Sequence, residues 1–217
     1  VSSRVLEKLQ SSNDAISDAV EGELRKVLAS VNLSNPTAAR EALFDAIPPL
    51  VERWGDVAAT VAAEWFEEFR VVEGVSGSFT AQLADPVPLE MVNSRLGYAT
   101  RESGHLFAGQ EDDFGAFVSL MVNEYAMKPG HDTVMQNARR DKVPFARVPE
   151  PGACEWCLML ASRGFVYSRA TVDQTEDGER YHGHCRCHAM PVYDETRARV
   201  IYGYDPERLY AEYRGDY

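Results

Sequence analysis

All four cysteines of the chain fall between Cys154 and Cys187, in two groups: Cys154-Glu155-Trp156-Cys157, then His182-Gly183-His184-Cys185-Arg186-Cys187-His188. Two thiols separated by two residues can converge on one point from a tight turn, and a second such group completes a tetrahedral shell around a divalent ion. Zinc takes thiolate and imidazole donors. In a closed shell it substitutes for the apolar core that a segment of about fifty residues struggles to build. Cys154 and Cys157 supply one half of such a shell. The other half comes from His182, Cys185 and Cys187, with His184 and His188 as further donors, which is more than a tetrahedron can use. Turn or helical spacing joins His182 to Cys185, whereas a strand joins Cys185 to Cys187, so the spacing leaves the choice open. Reduced core thiols, or two disulfides linking the groups, are the plainer alternatives, and the lack of a secretion signal weighs against the disulfides.

Other chemistries that use such residues can be tested on the same text. Nucleobase deaminases place His-x-Glu upstream of Pro-Cys-x-x-Cys. Here the upstream histidines stand in His105-Leu-Phe and His131-Asp-Thr, and Ala153 precedes Cys154, so that reading fails. A thioredoxin-type use of Cys-x-x-Cys needs a strand-to-helix junction in a βαβ fold, and the first 140 residues read as helical. No Gly-x-Ser-x-Gly elbow is present. A metal-dependent hydrolase such as a nuclease, with His182, His184 and His188 around an ion near Asp173 or Glu179, is the competing class.

The elements that must position these donors are mostly helices. Val5, Leu9, Ile16, Val20, Leu24, Val27 and Val31 recur at spacings near three, four and seven, which predicts an amphipathic helix. Asn35-Pro36 reads as an N-cap with proline in the first turn. The helix it opens is kinked or restarted at Pro48-Pro49 and continues through Trp54, Trp65, Phe66 and Phe69 to the Gly-rich stretch at Glu73–Gly77. Beyond a loop at Asp85–Pro88, Leu89–Thr100 and Phe114–Met127 are predicted helices, the second ended by Pro129-Gly130, with a separate short helix over Asp132–Arg140. From Lys142 the texture changes: Phe145–Val148, Phe165–Ser168 and Ala189–Tyr193 are β-prone, and Leu158–Arg163 forms a helical turn or two closed by Gly164. The chain therefore reads as mainly α, with a helical assembly region over 1–141, a small α+β zinc-binding module over 142–194 and a tail over 195–217 that forms a helix or strap from Pro206.

Composition bounds the partners. The 217 residues are 45% hydrophobic, enough for a core, and the net charge of −12 argues against a surface devoted to wrapping nucleic acid. No run approaches the ~20 apolar residues of a membrane span, and no signal-type leader is visible, which predicts an intracellular protein without a membrane segment. The one locally basic stretch, Arg139-Arg140-Asp-Lys142 through Arg147, is a candidate contact for DNA or an acidic protein, or else a solvated helix end. Glu64, Glu67 and Glu68 read as solvated. Tyr202, Tyr204, Tyr210, Tyr213 and Tyr217 suit an interface or packing back on the module.

From Arg147 to Tyr193 the text, with Cys154, Cys157, Gly164, His182, Cys185, Arg186 and Cys187, resembles the phage Mu F-like minor head (head morphogenesis) proteins of tailed actinobacterial phages. Gly183 departs from the proline common there, which makes His184 a substitute ligand. The resemblance implies a structural zinc site without catalytic residues, and a low-copy virion protein. Such a protein would associate with the portal protein and other head proteins at the portal vertex, be assembled in the host cytoplasm, contact packaged DNA and leave with it on ejection.

Overall fold

A computed structural model describes residues 2–149, 153, 155–165, 187–202 and 205–214. Three long helices lie side by side. Helix α1 (Ser2–Ser30) buries Val5, Leu6, Leu9, Ile16, Val20 and Leu24, the predicted stripe with Leu6 added, while the predicted Val27 is only partly buried and Val31 lies beyond the helix end. Helix α2 (Pro36–Val72) is capped as predicted by Asn35, whose side-chain oxygen accepts from the Ala38 amide at 3.4 Å. Helix α3 (Leu89–Ala99) is short and peripheral, and α4 (Glu111–Arg140) packs on both α2 and α1, which also touch each other.

Two boundaries differ from expectation. Helix α2 does not restart at Pro48-Pro49, and α4 passes through Pro129-Gly130 without the predicted break. Each proline removes one ladder hydrogen bond and crowds the preceding turn, so tertiary packing must outweigh that cost. At Pro129-Gly130 the packing is visible. A Cβ on Gly55 would sit 3.1 Å from the Pro129 ring, and a Cβ on Gly130 would sit 3.1 Å from the Ala58 carbonyl oxygen and 3.2 Å from its Cβ. The two helices therefore cross at a notch of small residues, and Pro129-Gly130 is the notch.

The segment between α2 and α3 has no regular structure, yet side chains of α2 and α4 bind its backbone between Thr80 and Ala84. The Asn137 carboxamide meets both backbone groups of Gln82, accepting from its N–H at 2.9 Å and donating to its C=O at 2.7 Å, as a neighbouring strand would. Ala84 N–H donates to Thr133 Oγ1 at 2.9 Å, Ala81 N–H to Glu67 at 2.8 Å, and Arg140 donates to the Thr80 carbonyl at 3.0 Å. The strand-like strap thus obeys the rule that buried peptide groups find partners.

Beyond α4, β1 (Phe145–Pro149) pairs antiparallel with β2 (Cys187–Pro191), with Phe145 opposite Pro191 and Pro149 opposite Cys187. Helix α5 (Glu155–Ala161) packs on β1, and Gly164, at φ +77°, closes its end with its N–H donating to the Ala161 carbonyl. Helices α6 (Glu195–Tyr202) and α7 (Pro206–Arg214) complete the described chain. The expected strand at Phe165–Ser168 lies outside the described residues apart from Phe165. One apolar cluster joins Val5 and Leu9 of α1, Trp65, Phe66 and Phe69 of α2, and Val134 and Met135 of α4 to Phe145, Cys157, Met190, Ala198 and Leu209. A second fills the other end of the helices around Leu24, Leu43, Leu96, Phe114 and Met121. The fold is mainly α. No helix among the described residues is long and apolar enough to cross a membrane.

Candidate functional site

Cys157 sits on α5 and is fully buried, a placement that follows from its position on the apolar face with Leu160 and Ala161. Cys187 opens β2, opposite Pro149. Since α5 packs on β1 and β1 pairs with β2, the two cysteine-bearing stretches share β1 as their common neighbour. Cys154, His182, His184, Cys185 and Arg186, with Asp173 and Glu179, lie outside the described residues, as does the Cys187 side chain. Among the described residues no three histidines, cysteines or carboxylates gather as a metal shell would need.

His188 is described and faces inward. It is 5% exposed, and its Nδ1 lies 3.2 Å from the Asn13 Nδ2 of α1. The contact engages Nδ1 of the His188 ring. Asn13 is in place because it continues the buried stripe of α1 one turn after Leu9.

Opposite His188, across a cavity of about 10 Å³ also lined by Leu9, Asn13, Ala62 and Val134, stands His131 of α4. That volume is about the room one water needs. Burial first, and then the nearby His188, Arg147 and Lys128, push the His131 pKa well below its ordinary value, so the ring is neutral at pH 7. Sequence reasoning weighed His131 only as a deaminase ligand. Its neighbours Pro129-Gly130 read as a helix end, so no local signal placed it on a buried helix face.

A second polar group ties α2, α4 and the segment after β2. Arg70, 7% exposed, donates from Nε and Nη2 to the two Asp141 oxygens at 2.6 and 3.0 Å, and Tyr193 Oη donates to the same carboxylate. Burial acts to raise the Asp141 pKa, but the hydrogen bonds from Arg70 and Tyr193 outweigh it and hold the carboxyl below its usual range. Burial and the bond to Asp141 push the Tyr193 phenol up. Phe79 lies between two guanidinium groups, 4.2 Å from Arg70 and 4.8 Å from Arg140.

The basic stretch does not form one exposed face. Arg147 is 1% exposed within β1, which corrects its candidacy for a DNA or acidic-surface contact. Arg140 is committed to Thr80, Asn137 and Phe79 at the C-terminal turn of α4. Trp65, Phe66 and Phe69 are core residues as expected, with Trp54 partly buried. Glu64, Glu67 and Glu68 are exposed, Glu68 paired with Lys8. Of the five tail tyrosines only the Tyr210 side chain is described, and it is exposed.

No curated protein and no solved structure matches the chain. A family model described as VG15 protein matches residues 1–215. The match takes in the helical region, the two cysteine stretches and both terminal helices together, and on that ground the chain belongs to the VG15 protein family, a family of phage (viral gene) proteins.

Proposed function

We propose that this phage protein is a structural component of the head, of the Mu F-like minor head type. It engages the portal protein and other head proteins at the portal vertex through its helical region, and its C-terminal segment is stapled by zinc. It is assembled in the host cytoplasm, resides in the virion and does binding work without catalysing a reaction. The observation that carries the reading is the convergence of the Cys157 helix and the Cys187 strand on β1, joined to a family match that runs over both cysteine stretches.

The donor chemistry fits zinc. A cysteine ligates zinc as the thiolate, which the cation itself stabilises, and Cys157 is in a buried position where such a pair would be shielded from water. Cys154, Cys157, His182, Cys185 and Cys187 are soft donors, from which a tetrahedral shell takes four. When bound, zinc in such a shell supplies cross-linking and no bond chemistry. The rest is done by the chain: α5 carries Cys157 and β2 begins at Cys187, while Asn13 meets the His188 ring.

Metal content and native mass of the full chain test the staple. One zinc per chain is expected, lost in Cys154→Ser and Cys157→Ser together with a lowered melting temperature, and retained in His188→Gln. A chain that holds no zinc, or that keeps it in both Cys variants, sinks the staple. Zinc-dependent cleavage of DNA, lost in His184→Ala with folding intact, would put the nuclease in its place. Quantitative mass spectrometry of purified particles tests the head assignment. The protein should co-purify with heads at low copy, and absence from both procapsids and virions would overturn it.

A further inference from the structure

The strap over residues 79–84 is held chiefly by side chains of α2 and α4 that bind its peptide groups. Besides Asn137, Thr133, Glu67 and Arg140, Gln136 donates from Nε2 to the Gln82 carbonyl at 2.7 Å. The buried Asn137 carboxamide has a fixed orientation: its Oδ1 also accepts from Arg140 at 2.6 Å, and its Nδ2 also donates to the Thr133 carbonyl at 2.7 Å. That sets the order of acceptor and donor it presents to the chain lying against it. Among the strap's side chains Phe79 is the anchor, tilted on buried Phe66 at 5.6 Å between the guanidinium groups of Arg70 and Arg140. Ala81 and Ala84 are half-buried, whereas Thr80, Gln82 and Leu83 are exposed.

Side chains that bind peptide groups in register, beside one pocket for a ring, make a site for an extended peptide. Such a site takes an aromatic residue followed by small residues two and five positions on, and tolerates any side chain at the exposed positions. Its present occupant is lightly rooted. Over residues 75–86 no side chain is fully buried, and the bonds from Glu67, Gln136 and Arg140 are exposed. Segments with few buried apolar contacts and exposed hydrogen bonds open locally while the rest of a fold stays intact. Gly74 and Gly77, at φ +71° and +91°, let the chain swing where the strap begins. Opening would leave the buried Asn137 and Thr133 side chains without the backbone groups they bind, so the open groove calls for another chain.

We propose that the groove between α2 and α4 is a binding site for an extended peptide segment of a partner protein, and that the strap is its built-in competitor, closing the groove in the free chain. Binding then exchanges one extended chain for another on the same hydrogen-bonding side chains. The proposal goes beyond the minor-head reading and depends neither on it nor on zinc.

A fluorescent synthetic peptide with the sequence of residues 76–88 is the probe, titrated into the full chain and read by anisotropy. The variant Phe79→Ser/Gln82→Pro releases the strap, because it removes the anchor ring and the Gln82 N–H. It should bind the peptide at least about tenfold more tightly than the wild type, whose groove is mostly occupied. A peptide carrying Phe79→Ala should bind that variant at least about tenfold more weakly than the parent peptide. A released chain that binds no better than the wild type overturns the proposal, as does a peptide that binds equally well without its ring. If the double variant alters the far-UV circular dichroism, Gln82→Pro alone replaces it. Amide exchange of the unaltered protein tests the opening separately. The Gln82 and Ala84 amides should exchange at least about a hundredfold faster than those in the middle of α4. Equal protection would mean that the strap leaves only when the whole molecule unfolds, which also overturns the proposal.

Discussion

Asp141 accepts from Arg70 and Tyr193 at once, so the group joins three separate stretches of chain. Removing the cation leaves a carboxylate in a largely desolvated position, so Arg70→Ala should cost about 2–4 kcal/mol in urea unfolding at neutral pH. The pH dependence follows from the direction of the shift. A carboxyl held below its usual range in the folded state contributes stability above its unfolded value and loses it as pH falls through the folded one. The difference between wild type and Asp141→Asn should therefore be widest near pH 7 and close toward about pH 3. A difference that stays constant over that range would mean that the carboxylate charge contributes nothing. None of this network was legible in the sequence, because Arg70, Asp141 and Tyr193 each look like surface residues in their local context. The metal donors are the opposite case: their spacing announces them locally, while the partner of His188 does not, since Asn13 stands 175 positions away.

Helices α1, α2 and α3 and strand β1 fell close to their predicted limits because amphipathic period and caps are local signals, whereas α5 starts three residues before the predicted Leu158 and ends two before Arg163. What was missed is the continuity of α4 through Pro129-Gly130, a pair that reads as a stop until the facing Gly55 and Ala58 are known. Those residues, some seventy positions upstream, decide the matter. Two glycines of α4 separate the local from the tertiary effect. Gly115 has nothing within 4 Å of an added Cβ, so Gly115→Ala should stabilise by up to about 1 kcal/mol through helix propensity. Gly130→Val should destabilise by about 1–3 kcal/mol, since its side chain must displace the α2 backbone. Thermal melts of the two variants decide it, and a Gly130→Val protein as stable as the wild type would remove the notch as the reason for the helix's persistence.

The apolar cluster that holds β1, β2, α6 and α7 is built in part from the first residues of α1, so the two ends of the chain share one core. Leu9→Ala, at the junction with the His131–His188 cavity, should cost about 2–4 kcal/mol. Amide exchange in β1 and in the middle of α2 should then accelerate by similar factors, as for one cooperative unit. Acceleration confined to one of them would divide the molecule into separately melting parts.

The strap between α2 and α3 has a consequence of another kind. Loops are ordinarily where a chain accepts extra residues or a fused label, and Phe79 to Ala84 would be chosen as such a place from its lack of regular structure. Its peptide groups are already spoken for by Glu67, Thr133, Asn137 and Arg140. Insertion there would break the docking of a pseudo-strand, whereas Ser76 to Ser78, just upstream and clear of those bonds, offers the permissive site for a tag.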